Sequence, residues 1–508
     1  MKSESLAPFP ATHLGNELRA LSAAIESPHA RPVRTASTAH EIEDLLEASN
    51  GPGTMDFESY MERRLLPLTN FEFNLNDARY IGHMTGPMPH YMPSIAANNI
   101  AVNANVVKVE TSNSFTRLER HVAAQLHSYF FQAPIPKQAV YDPSKTYGIF
   151  TVGGTAANET AIWLAKNTLL DDARSDVKCS LDGLSAALQS RGYKGARIIT
   201  SSLGHYSMSK IADIIGIGER GLIQVSVDAS GQMSLPGLEA AISECRRQQH
   251  AVLAVVALAG ATETGSIDDL KSIGTLCARE GIHFHVDAAF GGALRFSANH
   301  GQLLDGIENA ATITLCAHKA LRCPLGLSAV IIRDPAQAAT IEKSSRYIIR
   351  SGSADLGRRS AEGSRPANVV YLDARLQIDG PKKIGEEIDY SIALTKNLAQ
   401  TIVTRPEFQL IGTPTMQILN YVYLPSHCRH TGLTSENSAE ISAFTRKIQE
   451  SLMRSFVSRT TLSHVADFSV DVFRVVLLNP ETGPAALDEM LDDQVNLGAI
   501  LEASNHAN

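Results

Sequence analysis

Seven short apolar segments, rich in Val, Ile and Ala, constrain the fold of this chain more than any other feature. Helix-length amphipathic stretches separate several of them, for example Asp268–Glu280, which carries Leu270, Ile273 and Cys277 on one face. Near-continuous apolar strands that alternate with helices indicate an α/β fold whose parallel or mixed sheet is covered on both faces. The predicted strands lie at 147–152, 197–201, 222–227, 252–258, 282–287, 312–316 and 328–333.

The chain is too long for one hydrophobic core. At 508 residues it is expected to form two or three domains. Beyond about residue 375, a long amphipathic helix (roughly Lys383–Thr404) leads into strands such as "MQILNYVYLP", which predicts a separate small α+β domain. We therefore divide the chain into an N-terminal arm with helices (1–90), a large domain (91–375) and a small C-terminal domain (376–508).

Composition excludes several classes of protein. The 45 basic and 53 acidic side chains give a net charge of −8, which offers no electrostatic footprint for nucleic acid. No apolar run is long enough for a transmembrane helix, and the N-terminus lacks the apolar core of a signal peptide. The six cysteines include no CxxC pair, so we expect reduced thiols and no metal site. These features predict a cytoplasmic protein without a membrane partner.

One motif is misleading. The sequence "GIGERG" at 216–221 matches the G-x-G-x-x-G fingerprint of dinucleotide-binding folds. That fingerprint requires a strand before it and a helix after it. Here "SMSKIADIIG" predicts a helix before it and "LIQVSVD" a strand after it. The glycines are therefore expected to end a helix and turn the chain.

Two segments place polar groups where strands end. "TVGGTAANETAI" at 151–162 predicts a strand, a Gly-Gly-Thr turn and a helix, whose free N–H groups and threonine hydroxyl suit a phosphate. A simple tight turn would explain the same pattern. "SLGHYSMSK" at 202–210 places His205 between a strand and a helix, where a histidine is more commonly a capping or packing residue.

Two charged residues follow buried strands later in the chain. Asp287, in "HFHVDAAFGG", lies where a carboxylate is costly unless it meets a cation or hydrogen bonds; a structural salt bridge or a helix cap would also satisfy it. Lys319 follows His318 in "TLCAHKALRCPLG", an otherwise apolar stretch, although lysine is seldom buried without a partner. The question is why an ammonium is placed there.

Pyridoxal 5′-phosphate is one cofactor that uses all four features. It needs an anion cradle for its phosphate, a flat group against its ring, and a carboxylate that keeps the ring nitrogen protonated. It also needs a lysine that forms a Schiff base. The order of the four elements, and their positions at strand ends, predict a site for this cofactor.

In these motifs and in the segments around them, the chain resembles the group II pyridoxal-phosphate-dependent amino acid decarboxylases from about residue 80 to about 490. Three further segments resemble most closely the bacterial aspartate 1-decarboxylases of that family: "YIGHMTGPMPHYMP", "NVVKVETSNSFTRLER" and "GSADLGRRSAEGSRPANVVYL". The resemblance implies fold type I, with a mainly parallel seven-stranded sheet in the large domain. The family motifs are "GGTAANETA", "HYSMSKIADIIGIG", "GATETGSIDDL", "HVDAAFGG", "AHKALRCPLG" and "FRVVLLNPETG".

The resemblance also implies roles at matching positions. Three residues are expected to act in catalysis: Lys319 as the Schiff-base lysine, His205 stacked on the ring, and Tyr347 as the loop tyrosine that reprotonates the α-carbon after CO₂ leaves. From the residues alone, Tyr347 would be taken for a packing residue. Asp287 is expected to pair with the pyridine nitrogen. The expected cofactor-binding residues are Gly154, Thr155, His205, Thr262, Asp287, Ala289, His318 and Lys319.

The chain departs from the family pattern at a few positions. Val152 stands where many members carry a small hydroxyl residue, and Arg322 and Cys323 stand where relatives carry larger apolar residues. Arg322 is either a ligand of a substrate carboxylate or simply a charge at the surface or on the phosphate side of the site. We take three side chains as candidates for binding an acidic substrate: His83, Arg322 and Arg365.

The activity that the resemblance implies is α-decarboxylation of L-aspartate to β-alanine and CO₂. Glutamate, cysteine sulfinate, a diamino acid or an aromatic amino acid are alternative substrates. Aldehyde synthase, transaminase or retro-aldol chemistry, and a non-catalytic scaffold, are alternative functions; the presence of Lys319 and Asp287 disfavours the scaffold. The family forms homodimers with a shared active site, and segment 80–120 could complete either subunit's pocket.

Overall fold

A large seven-stranded sheet forms the centre of the molecule. The computed structural model describes residues 33–34, 39–47, 55–171, 176–345, 349–350, 352–463 and 468–506. The sheet order is β1-β7-β6-β5-β4-β2-β3, and every pairing is parallel except those of β7, which is antiparallel to both neighbours. Its strands are β1 Gly148–Thr151, β2 Gly195–Ser201, β3 Leu222–Val225, β4 His250–Leu258, β5 Phe284–Asp287, β6 Thr312–Cys316 and β7 Ser328–Ile332.

Each strand falls on one of the seven apolar segments, so the predicted α/β fold is confirmed. Every residue of β5, β6 and β7 is buried. Burial on both faces requires near-continuous apolar strands rather than an alternating pattern. The amphipathic stretch before β5 is a helix, Leu270–Glu280, and the side chain of Asp269 caps it by accepting from Ser272 N–H at 3.0 Å.

Helices cover both faces of the sheet and surround its ends. A π-helical turn, Arg375–Asp379, joins two of the helices, and another lies at Met61–Leu65. The described α-helices are α1 Ala39–Glu47, α2 Phe57–Tyr60, α3 Leu66–Phe71, α4 Met92–Val102, α5 Asn113–Phe131, α6 Lys137–Val140, α7 Gly154–Leu170, α8 Cys179–Asp182, α9 Leu184–Ser190, α10 Ser207–Ile214, α11 Leu235–Arg247, α12 Leu270–Glu280, α13 Val369–Ala374, α14 Gly380–Thr404, α15 Ser438–Ser451 and α16 Pro484–His506.

The "GIGERG" motif has the structure that its context predicted. Helix α10 ends at Ile214, and Gly216 and Gly218 adopt positive φ angles of 84° and 69°. Strand β3 begins at Leu222 immediately afterwards. Glycine suits these left-handed positions because it has no Cβ to clash. The motif turns the chain and opens no helix that could hold a pyrophosphate.

A second, antiparallel sheet lies in the C-terminal part of the chain. Its strand order is β10-β11-β9-β8, and an apolar cluster that includes Tyr421 and Phe473 packs between this sheet and helices α14, α15 and α16. The backbone of Ile81 joins it by hydrogen bonds to Phe456 and Val476. The segment that follows residue 81 is therefore attached to the small sheet. The strands are β8 Phe408–Ile411, β9 Ile418–Tyr423, β10 Ser458–Leu462 and β11 Val470–Val476.

Two general predictions can be compared with the structure. All six cysteines are buried free thiols, as expected for a chain without a disulfide framework. Within the described part of the chain, no helix combines the length and the apolar character needed to cross a membrane.

Candidate active site

A cavity of about 190 Å³ opens where the carboxyl ends of the parallel strands meet. Ligands of α/β folds bind at this edge because loops and helix N-termini converge there. Residues from after β1, β2, β4, β5 and β6 enclose the cavity. They are Gly154, Thr155, Asn158, Leu203, His205, Leu258, Gly260, Ala261, Thr262, Asp287, Ala289, Phe290, Cys316, His318 and Lys319. All eight residues predicted to bind the cofactor are among them.

An anion cradle lies at the start of helix α7. The helix begins at Gly154, directly after β1, so its first N–H groups face the cavity mouth without partners of their own in the helix. A Cβ on Gly154 would lie 2.8 Å from the sulfur of Cys316. The close approach of α7 to β6 therefore requires glycine there, and Thr155 adds its hydroxyl-bearing side chain to the same wall.

Asp287 is held in a fixed orientation by a buried chain of hydrogen bonds. Asn158 Nδ2 donates to one carboxylate oxygen at 2.8 Å, and the N–H of Ala289 donates to the other at 3.1 Å. The Oδ1 atom of Asn158 lies 3.1 Å from Nε2 of His285. The Nδ1 atom of His285 in turn lies 2.9 Å from the hydroxyl of Thr312. Burial lowers the pKa of His285 to about 4, so the ring is neutral.

His285 and Asn158 were not predicted from the sequence. The sequence does indicate that His285 lies near the site, because His285 precedes Asp287 by two residues on one strand and the two side chains therefore share a face of the sheet. Asn158 lies one helical turn after Gly154 and faces the sheet rather than solvent, where it is buried. Its role could not be read without knowing which face of α7 packs on β5.

His205 is half-buried beside the cavity, and its ring is fixed from one side. Its Nδ1 accepts a hydrogen bond from the N–H of Ser207 at 3.3 Å and lies 2.9 Å from the hydroxyl of that residue. Burial lowers the pKa of His205, while the charge of Asp287 opposes that change and the charge of Lys319 adds to it. A neutral imidazole presents a flat face to the cavity.

Lys319 begins a tight turn directly after β6. Its neighbour His318 places Nδ1 3.1 Å from the carbonyl of Leu327, and burial lowers the pKa of His318, as does the charge of Lys319. The turn closes where the N–H of Arg322 donates to the carbonyl of Lys319 at 2.9 Å. The lysine side chain is half-buried and borders the same cavity as Asp287.

Arg474 is a charged residue near the cavity that the sequence analysis missed. It lies on β11 of the small sheet, 7% exposed, and its Nε donates to the carbonyl of Thr262 at 2.7 Å. Burial lowers the pKa of Arg474 to about 10. Among the described residues, no carboxylate lies within ion-pair distance of it, although Glu263 is near enough to oppose the lowering. The signal was an arginine within the apolar strand "VDVFRVV".

His83 lies close to both cationic groups. Burial lowers its pKa, and the charges of Arg474 and Lys319 lower it further. Its Nδ1 lies 3.1 Å from the hydroxyl of Thr85, and the residue is exposed on one side. His83 is thus the one predicted substrate candidate that the described structure brings towards the lysine.

The other two substrate candidates have different surroundings from those expected. Arg365 is 5% exposed and donates to both carboxylate oxygens of Glu119 at 2.6 Å, away from the cavity. Arg322 is 8% exposed, pairs with Glu387 at 2.8 Å and is absent from the cavity wall. Both guanidinium groups are already bound by protein carboxylates. Tyr347 lies outside the described residues.

The residues present fit pyridoxal 5′-phosphate. A glycine cradle at a helix N-terminus suits its phosphate, and an oriented buried carboxylate suits its protonated ring nitrogen. A lysine that borders the same cavity suits its aldehyde. Val152 is 53% exposed beside the cradle and offers no hydroxyl to the phosphate.

Comparison with known proteins decides the family. The pyridoxal-dependent decarboxylase conserved domain matches residues 83–423, which is more than half of the chain and includes all of the cavity residues named above. The chain belongs to this family. It is therefore a carboxy-lyase that uses pyridoxal 5′-phosphate to decarboxylate an amino acid.

Relatives within the family differ in their named substrates. The chain is 36% identical to an aspartate 1-decarboxylase of Aliivibrio fischeri over 91% of this chain and 87% of the relative. It is 28% identical to an L-2,4-diaminobutyrate decarboxylase of Rhizobium meliloti over 82% of this chain and 78% of the relative. The crystal structure of mouse CSAD matches with a TM-score of 0.85 at 22% identity, covering 96% of this chain and 99% of that one. Fold type I is confirmed.

Proposed function

We propose that this decarboxylase converts L-aspartate to β-alanine and CO₂. The observation that carries the proposal is Arg474, a buried guanidinium beside the cavity with no carboxylate of its own among the described residues. The aspartate 1-decarboxylase relative at 36% identity supports the same substrate.

The charge of Arg474 suits the side-chain carboxylate of an acidic substrate. The α-carboxylate leaves as neutral CO₂, so an arginine paired with it would stabilise the ground state more than the transition state. A side-chain carboxylate keeps its charge throughout the reaction and can stay paired. The side-chain carboxylate of an acidic amino acid can therefore pair with Arg474, whereas an aromatic or diamino substrate would leave this cation with neutral hydrogen-bond acceptors and the more distant charge of Glu263.

Five residues of the cavity have defined roles in this proposal. The N–H groups at Gly154 and Thr155 hold the cofactor phosphate, and Asp287, oriented by Asn158, keeps the ring nitrogen protonated. When bound there, pyridoxal 5′-phosphate would supply an electron sink for the loss of CO₂. His205 packs against the ring and restricts its motion. By holding the side-chain carboxylate, Arg474 would restrict the orientations that the bound substrate can adopt in the cavity.

We also propose that Tyr347 supplies the proton that reaches the substrate α-carbon after CO₂ leaves. Its hydroxyl would make decarboxylation the outcome rather than an oxidative or transaminating route. Equal amounts of CO₂ and β-alanine, without ammonia or peroxide, are the expected products. The Tyr347→Phe variant is expected to form an aldehyde, ammonia and hydrogen peroxide alongside CO₂, with dissolved O₂ as the oxidant.

The substrate is tested by CO₂ release from the purified enzyme loaded with cofactor. The panel contains L-aspartate, L-glutamate, cysteine sulfinate, L-2,4-diaminobutyrate and L-tryptophan. We expect L-aspartate to give the highest kcat/KM, followed by the other two acidic substrates. A preference for diaminobutyrate or tryptophan would refute the proposal.

We further propose a cytoplasmic homodimer whose subunits share active sites. Large apolar side chains are exposed, among them Ile100 (74%), Leu325 (71%) and Val152 (53%), and a second copy would cover them. Light scattering is expected to give twice the chain mass. If the tyrosine loop crosses to the other subunit, mixing Lys319→Ala with Tyr347→Phe subunits restores activity, because each hybrid contains one intact site. Monomers in solution would refute the dimer.

A further inference from the structure

Arg322 lies three residues after Lys319 in an unusual backbone conformation. Its φ angle is +55°, a left-handed conformation that side-chain-bearing residues seldom adopt. Its N–H donates to the carbonyl of Lys319 at 2.9 Å and closes the turn that begins at the lysine. Such a conformation persists where surrounding contacts hold it. The contacts of its side chain are therefore informative.

The guanidinium of Arg322 connects three parts of the molecule. It donates to the carbonyl of Pro87 at 3.1 Å and pairs with Glu387 on helix α14 at 2.8 Å. Proline has no N–H, so this carbonyl is the one backbone hydrogen-bonding group that Pro87 possesses. Arg322 thus joins the Lys319 turn both to α14 and to the segment 83–91, which carries His83.

A second buried arginine, Arg375, also forms a hydrogen bond to the turn that begins at Lys319. Arg375 is completely buried, and its Nε donates to the carbonyl of Leu321 at 3.2 Å. Its other nitrogens pair with Asp379 and with Glu387, so Glu387 accepts from both arginines. Arg375 begins the π-helical turn before α14, an irregularity that often marks functional positions.

We propose that Arg322 and Arg375, joined through Glu387, are positioning residues that hold the Lys319 turn against the segment 83–91. Buried ion pairs add little net stability compared with apolar packing, but they fix geometry because breaking one leaves an uncompensated charge. The sequence left open whether Arg322 binds substrate. In this proposal it acts on substrate only through the two backbone segments that it connects. The kinetic part of the proposal rests on the proposed aspartate decarboxylation.

The test compares Arg322→Met with Arg322→Lys and with a matched control. Arg365→Met removes an equally buried, ion-paired arginine that touches neither the Lys319 turn nor the segment 83–91. Amide hydrogen exchange is measured first on the cofactor-free proteins. Faster exchange is expected in peptides covering 83–91 and 319–326 of Arg322→Met alone, because local opening there no longer breaks the Arg322 contacts.

Kinetics on L-aspartate provide the second measurement. We expect kcat/KM of Arg322→Met to fall roughly 10²-fold through misplacement of the lysine and His83, with Arg322→Lys recovering part of the loss. Arg365→Met is expected to keep the wild-type kcat/KM below its melting temperature. Exchange that is unchanged, or raised equally throughout Arg322→Met, would overturn the proposal. If wild-type enzyme releases no CO₂ from aspartate, the proposed function fails, while the exchange measurement still decides the role of Arg322.

Discussion

Arg474 and Arg365 are both buried arginines, but only Arg365 is paired with a carboxylate among the described residues. This difference suits Arg365 to stabilising the fold and Arg474 to the proposed binding of a substrate carboxylate. Arg365 donates to both oxygens of Glu119, and the pair is 5% and 3% exposed. Glu119 raises the pKa of Arg365 despite the opposing effect of burial. Arg474 donates to the carbonyl of Thr262 and the hydroxyl of Ser458, and burial lowers its pKa to about 10.

The difference shows how a buried cation that can accept a ligand is distinguished from one that holds the fold. A charge removed from water is costly unless a counter-charge or hydrogen bonds compensate it. Glu119 compensates Arg365 permanently. Among the described residues, Arg474 donates hydrogen bonds only to neutral acceptors, and the carboxylate of Glu263 lies beyond ion-pair distance, so a substrate carboxylate that enters the cavity would improve its environment. Four predictions test the roles proposed for the cavity and for the buried groups that stabilise the fold, and they begin with the largest expected effect.

The largest effect is expected from substitution of Lys319, the lysine that borders the cavity. Lys319→Ala is expected to abolish the visible absorption band of the lysine-bound cofactor and to lower CO₂ release on the order of 10³-fold or more. Because the side chain is half-buried, the melting temperature of the cofactor-free protein is expected to change little. A variant that keeps both the band and the activity would show that another group binds the cofactor.

Substitution of Arg365 tests whether the arginine that is paired with Glu119 stabilises the fold. Arg365→Met leaves Glu119 as an uncompensated buried carboxylate, which typically lowers the free energy of unfolding by about 3–5 kcal/mol. Denaturant unfolding of the cofactor-free protein measures this loss. The double variant Arg365→Met/Glu119→Leu is expected to recover much of the stability, because no charge is then left unpaired. Lost activity in a still-folded Arg365→Met protein would place this residue in the site after all.

The histidine behind the cavity predicts a pH dependence of stability. The pKa of His285 is about 4 when folded and about 6.5 when unfolded. The unfolded chain therefore binds the proton first, so stability is fully present above pH 6.5 and falls as the pH drops towards 4. The loss amounts to about 3 kcal/mol for this group. His285→Gln is expected to reduce the slope of the unfolding free energy between pH 6.5 and 4, and buried His283, whose pKa burial lowers to about 3, accounts for part of the slope that remains. An unchanged slope would assign it to other groups.

Most of the fold could be predicted from the sequence, since apolar runs and helical periodicity reflect burial directly. Each of the seven predicted strands coincides with a strand of the large sheet. That the eight predicted cofactor-binding residues border one cavity could be predicted too, because they lie at or after the ends of those strands and parallel strands end at one edge. Asp287 and Lys319 are separated by 32 residues in the chain but border one cavity.

The substrate side of the site could not be predicted, because it depends on contacts between distant segments. Nothing local in "FRVVLLNP" states that Arg474 packs beside Thr262, 212 residues earlier. Nor does the sequence near Arg322 reveal that this arginine forms an ion pair with Glu387. A buried arginine can be recognised from pattern alone, but whether it has a carboxylate partner depends on the tertiary structure.

The preference for L-aspartate over L-asparagine tests the central claim most directly, because the two substrates differ in the charge that Arg474 is proposed to bind. The measurement is kcat/KM for both amino acids with the wild-type enzyme and with Arg474→Met. We expect the wild type to favour aspartate roughly 10²-fold, the size of a lost charge-assisted hydrogen bond of about 3 kcal/mol, and the variant to lose that preference. A wild type that does not discriminate, or a variant that still does, would contradict the account.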